Sequence, residues 1–485
     1  MSPTTKLSRW LALAGVGLII SGSPVLHAQT DGGPALSAST AAAWRASSRL
    51  GYAPTPALDQ VALAAPRVWA LQQVEAAYAA SRRPPNIPAE LTRFNAPLND
   101  IARDFHAERE ARKTLREQPA PAAAGQTMPP GAGGAEVFSR EMAQSAAAWR
   151  LMACSDPALE NPLLARMTEF WFNHLNVFVG KGAVRPFVGH YVVNVIRPNA
   201  LGRFEDLLLA SAQHPAMLLY LDQAQSNNRG LNENYARELM ELHTLGVNGG
   251  YTQTDVRELA RILTGWTVNL RGGEAFRFAE RLHDRGDKTL LGRSFANQGE
   301  AEGQEAIRLL ARHPATAQRI ATRLATFFVA DQPPPALVER LGKTFLATQG
   351  DMRAVMQVLV AAPEFWAAGN TLFKTPLDFA CSALTAAGGV KDQRDIGQTL
   401  AFLAQAGQPM HGWQTPDGYK TDAATWLAPE ALTRRADFAM GVAPRMLEPV
   451  YLNAFLSPAT RERIALEPLP LRTGLMLASP DFMRK

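Results

Sequence analysis

Apolar residues recur along most of this 485-residue chain at three- and four-residue intervals instead of alternating, and that period predicts helices. The pattern runs from about residue 36 to 116 and again from about 136 to 388. Pro157, Pro314 and Pro376 fall where helices should start, since a first-turn proline gives up an N–H that has no intrahelical partner. Asp351, just before Met352, Val355 and Leu359, reads as another start. Alternating segments are sparse, the best being a short hairpin around Phe276–Phe278 and residues 289–291. Residues 118–135, QPAPAAAGQTMPPGAGGA, interrupt the helical pattern and read as a flexible linker or surface insertion. The expected fold is therefore all-α: a multi-helix globular protein with a long Pro/Gly/Ala-rich insertion and at most a short β-hairpin. An N-terminal helical region spans 29–117 and the main helical domain 136–485.

The chemically densest stretch is 232–250, NENYARELMELHTLGVNGG. At roughly 100° per residue, Asn234, Arg237, Glu238 and Glu241 share one helix face, and Tyr235, Leu239 and Leu242 form an apolar stripe. Gly246 stands where a left-handed C-terminal cap belongs, Gly249 and Gly250 make a turn, and Thr252 with Asp255 opens a second helix as a capping box. That second helix carries Val256, Leu259, Ile262 and Leu263 and closes at Gly265-Trp266. Glu238 and Glu241 suit a pair of acids in which one protonates a leaving oxygen and the other serves as base or nucleophile, as glycoside cleavage requires. The plainer alternative is a solvated face, with Arg237 pairing to Glu233 and Glu241 for about 0.2–0.5 kcal/mol each.

Three further segments carry candidate chemistry. In 166–177, Arg166, Glu169 and Asn173 share a helix face beside His174, and Phe170, Trp171 and Phe172 offer flat apolar walls; a core cluster explains the same residues. His283, Asp284 and Lys288 lie in a polar loop, where a rigid scaffold can aim an acid, a base and a cation into one pocket. There they are expected at the mouth of the glutamate site, unless Asp284 merely caps a backbone amide and Lys288 is solvated. Near the C-terminal end, Trp413, Pro416, Gly418, Tyr419 and Trp426 form an aromatic loop that either stacks on sugar rings or locks itself onto the core.

Together these segments resemble a bacterial family called domain of unknown function 1800. The resemblance rests on residues 232–266 followed by HDRGDKTLLG at 283–292, on RLGYAPTP at 49–56, and on FWFNHLNV at 170–177. It continues through HPATAQRIATRLATFFV, GDMRAVMQVLVAAPEFW and KTPLDFACSALTA. It implies a secreted, mainly helical bacterial protein, often encoded beside a sulfatase-like protein that would be its partner. No activity defines the family.

Residues 1–28 pair Lys6 and Arg9 with an apolar run from Trp10 to Ile20 and a small-residue ending at Ala28, the pattern of a secretory signal peptide. The expected location is the periplasm or the medium, with no stable membrane insertion after cleavage. The net charge of +5 becomes +3 when the leader takes away Lys6 and Arg9, so no basic surface argues for nucleic acid. Cys154 and Cys381, the two cysteines, suit either one disulfide or two buried thiols. Glu238, Glu241, His174, His283 and Asp284 are acceptable metal ligands, but no HExxH or CxxC spacing gathers them, and no cofactor is expected. Nucleophile-elbow, P-loop and dinucleotide-binding glycine patterns are missing from the sequence, which argues against serine hydrolase, nucleotide and NAD chemistry.

The function expected on these grounds is a hydrolase or lyase acting on a polar polymer such as a glycan. Glu238, Glu241 and His283 would be catalytic, and Trp171, Asn173, His174, Asn234, Arg237, Asp284 and Lys288 would hold substrate. The alternative is a non-catalytic envelope binding or assembly protein that works with the sulfatase-like partner.

Overall fold

Most helices begin where a short polar side chain or a proline dictates. Thr375 accepts from the Asp378 amide ahead of Pro376, and Asp351 accepts from the amides of Arg353 and Ala354. The imidazole of His313 does the same for Ala315 ahead of Pro314. Pro157 differs from expectation. It lies in a turn, and the helix starts at Pro162 because the Asn161 side chain caps it there by accepting from Leu164.

The computed structural model describes residues 37–55, 62–117, 137–271, 274–446 and 450–485. The leader at 1–28 and the insertion at 118–135 lie outside them. The structure is 64% helical, with two small antiparallel strand pairs. One apolar cluster extends from Ala43 to Met483 and draws on nearly every helix. Helix Pro66–Ser81 packs on Pro162–His174 and Met352–Ala361, and Pro314–Phe328 packs along Pro335–Ala347. No helix among the described residues is long and apolar enough to cross a membrane.

Both expected strand segments are extended, but they do not pair with each other. Phe276–Phe278 pairs with Trp266–Val268, and Lys288–Leu290 pairs with Arg293–Phe295. Leu291 and Gly292 both take positive φ, 50° and 76°, which gives the two-residue reversal that fits strand twist and forces the second pair to close locally.

Two cross-links bind the centre. Cys154, at the end of Val137–Ser155, is disulfide-bonded to Cys381 in Pro376–Ala386, 227 residues away. One turn before Cys381, the buried carboxylate of Asp378 accepts from Arg166 of the Pro162–His174 helix and from Lys485. Arg49, Lys374 and Arg435 are buried as well, with Arg435 donating to the Lys374 carbonyl and the Lys374 ammonium 4.1 Å from the Phe482 ring centre. Burial alone would raise the Asp378 pKa, but Arg166 and Lys485 overcome it and hold the carboxyl below the usual range.

Asp378→Asn should therefore cost about 3–5 kcal/mol in urea unfolding at pH 7, because it leaves buried cations without their anion. The wild-type carboxyl is depressed in the folded state. Its contribution is thus complete above the unfolded value of about 3.9 and is lost as pH falls towards the folded one. The gap between wild type and variant should accordingly narrow below about pH 4. A pH-independent gap, or one under about 1 kcal/mol at pH 7, would show that the pair is not what holds these helices.

Candidate functional site

The glutamate stretch is helical but not uniformly so. Asn234–Glu238 is α-helix, and Leu239–His243 continues as a π-helical turn. The wider turn leaves carbonyls short of partners; the Thr244 hydroxyl donates to Leu239 O at 2.6 Å and the Gly246 amide to Met240 O at 3.1 Å. Gly246 takes the left-handed conformation its position predicts, at φ 82°, and Thr252 with Asp255 forms the capping box. Because a π turn advances less per residue, Met240 joins Tyr235 and Leu239 in the core and Leu242 is left half-buried.

On the opposite face Glu238 and Glu241 are half-buried, and among the described residues neither accepts a hydrogen bond or joins an ion pair. Arg237 does not sit between them. Its guanidinium reaches back to Glu233 at 3.1 Å and to Gln253 at 3.0 Å. Asn234 donates to Leu221 O at 3.2 Å, tying the helix start to the end of Pro215–Tyr220.

The glutamates lie within electrostatic reach of Arg319, Asp417 and Tyr220, and Arg323 lies within reach of Arg319 and Asp417. Arg319 and Arg323 stand one turn apart on Pro314–Phe328, Asp417 comes from the aromatic loop, and Tyr220 from the end of its helix. Arg319 Nε donates to Leu242 O at 2.9 Å. Burial, repulsion from Glu241 and repulsion from Asp417 push the Glu238 carboxyl above its ordinary pKa, against the pull of Arg237. Burial, with help from Arg319, lowers Arg323 to about 10.

The aromatic loop is locked onto the scaffold, with Tyr419 and Trp426 buried and Trp413 half-buried. Asn173 holds it by donating to Tyr419 O at 3.1 Å and accepting from Tyr419 N at 2.5 Å. Asn176 donates to the carbonyls of Trp413 and Thr415, and the Tyr220 hydroxyl to that of Gln414 at 2.7 Å. Trp413 Nε1, at 3.3 Å, and the Thr415 hydroxyl, at 2.5 Å, then aim Asp417. Gly418, at φ 74°, passes so close to Asn173 that a Cβ would fall 2.0 Å from its carbonyl oxygen.

The 170–177 block thus builds the wall behind the cluster. Trp171 is fully buried and donates to Ala200 O at 2.8 Å. His174 Nε2 donates to His243 O at 3.0 Å, and burial, together with Arg319 and Arg323, drives both imidazoles to low pKa, His243 to about 3.

His283, Asp284 and Lys288, expected at the mouth of this site, make a hydrogen-bonded network of their own. His283 and Lys288 are buried; His283 Nδ1 donates to Thr264 O at 2.9 Å, and Lys288 donates to Glu302 at 2.8 Å. His283 Nε2 lies 3.3 Å from the same carboxylate, and Asp284 accepts from Nε and Nη2 on one edge of Arg261. Their hydrogen-bond partners among the described residues include neither Glu238 nor Glu241. The loop clips the two strand pairs to Gln253–Ile262 and Glu300–Ala311.

Sequence reasoning missed Arg319, Arg323, Asp417 and Tyr220. The arginines recur at i and i+4 beside the apolar stripe of their helix, a pattern indistinguishable from a solvated edge. Among the described residues no cluster of three or more His, Cys, Asp or Glu is arranged to hold a metal ion.

Fold and site together define a mainly helical protein with a mixed cluster of acids and arginines beside a clamped aromatic loop. Residues 45–484 match the family model described as protein of unknown function (DUF1800), and the chain belongs to that family. No curated protein and no solved structure matches it.

Gly418→Ala should destabilise the protein by about 1–3 kcal/mol through left-handed strain alone, and by more through the clash with Asn173. An unchanged melting temperature would show that the loop does not depend on this close approach. Glu238→Gln should act in the opposite sense. The folded carboxyl binds its proton more tightly than the unfolded one, so wild-type stability falls as pH rises from the ordinary value, about 4.3, through the higher folded value. The Gln variant, spared that loss, should match wild type at pH 4 and equal or exceed it at pH 8; a variant less stable at pH 8 would mean that the ionised carboxylate has a stabilising partner.

Proposed function

We propose that this protein is an extracytoplasmic hydrolase that cleaves a polar polymer, a glycan being the best fit, at Glu238 and Glu241. The observation that carries the reading is the pair of half-buried carboxylates without partners, one of them pushed above its ordinary pKa. Elsewhere in the structure buried acids are neutralised by cations, as Asp378 is by Arg166 and Glu160 by Arg197. A carboxyl held above its ordinary pKa is suited to act as general acid, and a second carboxyl beside it to act as base.

In this scheme Glu238 gives its proton to the bridging oxygen as the C–O bond to the sugar carbon breaks. Glu241 takes a proton from the water whose oxygen bonds to that carbon. Proton return from Glu241 to Glu238 through solvent restores the starting state. Trp413, half-buried beside Asp417, offers an aromatic edge to a sugar ring. The Cys154–Cys381 bond supports an oxidising compartment, in keeping with the leader pattern at 1–28.

A non-catalytic binding or assembly role is the second reading. It draws on Leu466 and Leu469, apolar side chains left 86% and 72% exposed, as a partner-facing edge would be.

The test is release of reducing ends from a polysaccharide panel by the purified protein. Glu238→Gln and Glu241→Gln should each lower the rate by about 10²–10⁴-fold while remaining folded. Variants that cleave at the wild-type rate, or a wild type that releases nothing across the panel, would remove the hydrolase reading.

A further inference from the structure

We infer that the polymer taken by this site is anionic, carrying carboxylate or sulfate groups that Arg319 and Arg323 hold while the glutamates act on the neighbouring bond. The inference rests on the hydrolase reading for what happens next, but its own basis is the pair of arginines. Arg323 is half-buried, and among the described residues its guanidinium has neither a hydrogen bond nor an ion pair, so its nitrogens stay open to a ligand. Its peers are treated differently. Arg150 meets Glu169, Arg166 meets Asp378, Arg197 meets Glu160, Arg49 donates to the Phe365 carbonyl and Arg435 to that of Lys374. Withdrawing a guanidinium partly from water without giving it a partner is unfavourable, and an arriving anion relieves it.

The nearby carboxylates do not fill that place. Asp417 is aimed by Trp413 and Thr415 and acts on Arg323 only through space, as Glu241 does on Arg319. Arg319 is held by its Nε on the Leu242 carbonyl, which leaves its terminal nitrogens for a ligand. Two guanidinium groups one helical turn apart present planar donor forks, the geometry that recognises carboxylate and sulfate oxygens in pairs. Those cations also offset the repulsion that Glu241 and Asp417 would exert on an anionic chain.

Binding is measured by titration calorimetry with the Glu241→Gln protein, so that cleavage does not intervene. The ligands are polygalacturonate, dextran sulfate and neutral dextran. At least one polyanion should bind about 10-fold or more tightly than dextran, and which one does so separates carboxylate from sulfate recognition. Adding Arg323→Gln should abolish the preference without lowering the melting temperature, since it removes a cation that has no partner. Arg103→Gln, an equal charge change on the exposed face of Leu98–Glu117, should leave the preference intact. Equal binding of charged and neutral polymers overturns the inference, as does a preference that Arg103→Gln weakens as much as Arg323→Gln. Arg323-dependent binding of a polyanion that the wild type fails to cleave would remove the hydrolase reading and leave this one standing. Cleavage of a neutral glycan at a rate indifferent to Arg323→Gln would do the reverse.

Discussion

Arg166 and Lys485 converging on the buried Asp378 is the contact from which the positions of the other parts follow. Arg166 lies on the Pro162–His174 helix, so the ion pair fixes that helix against Pro376–Ala386, and the Cys154–Cys381 bond ties the same Pro376–Ala386 helix to a third. Two turns beyond Arg166, Asn173 grips the backbone of Tyr419, and Asn176 grips Trp413 and Thr415. Asp417 is thereby aimed at the glutamates by a chain of contacts that begins in the core. A charge pair out of water is a poor source of net stability, but it is intolerant of displacement, and that intolerance suits a part that sets geometry.

The charges of this protein fall into two kinds, distinguished by their partners. His283, Lys288 and Glu302 are fully enclosed and satisfy one another, as do Arg150 with Glu169 and Arg197 with Glu160. Glu238, Glu241 and Arg323 are close to opposite charges and still unpaired. Such an arrangement stores unfavourable desolvation at one place on the molecule, which is what a ligand or a reacting bond exploits. The π turn at Leu239–His243 contributes by setting Glu241 off the ordinary helical phase relative to Glu238.

The second strand pair and its loop illustrate how a polar segment comes to be structural. Three short strands and a 3-10 turn between Phe276 and Phe295 bury Leu290 and Phe295 in the core and pack Phe276 and Phe278 against it. The loop between them adds the Lys288 ammonium and His283 imidazole meeting Glu302, and Asp284 meeting Arg261. Acid, base and cation side by side in a loop thus serve as a polar clip as readily as an active site.

The local signals in the sequence were sufficient for the helices and their ends. Thr252 with Asp255, Asp351, Pro314, Pro376 and Gly246 each act within four or five residues, so their geometry is encoded where they stand. The acids of the site were legible for the same reason, because Glu238 and Glu241 share one short helical stretch. What the sequence left open were matters of contact between distant segments: the pairing of Cys154 with Cys381, the strand partners around Leu291-Gly292, and which charges are neutralised. Arg319, Arg323 and Asp417 are about 80 to 180 positions from the glutamates, and nothing in their own neighbourhoods marks them. Periodicity tells which side of a helix is apolar; only the packed structure decides which other helix its polar edge will meet.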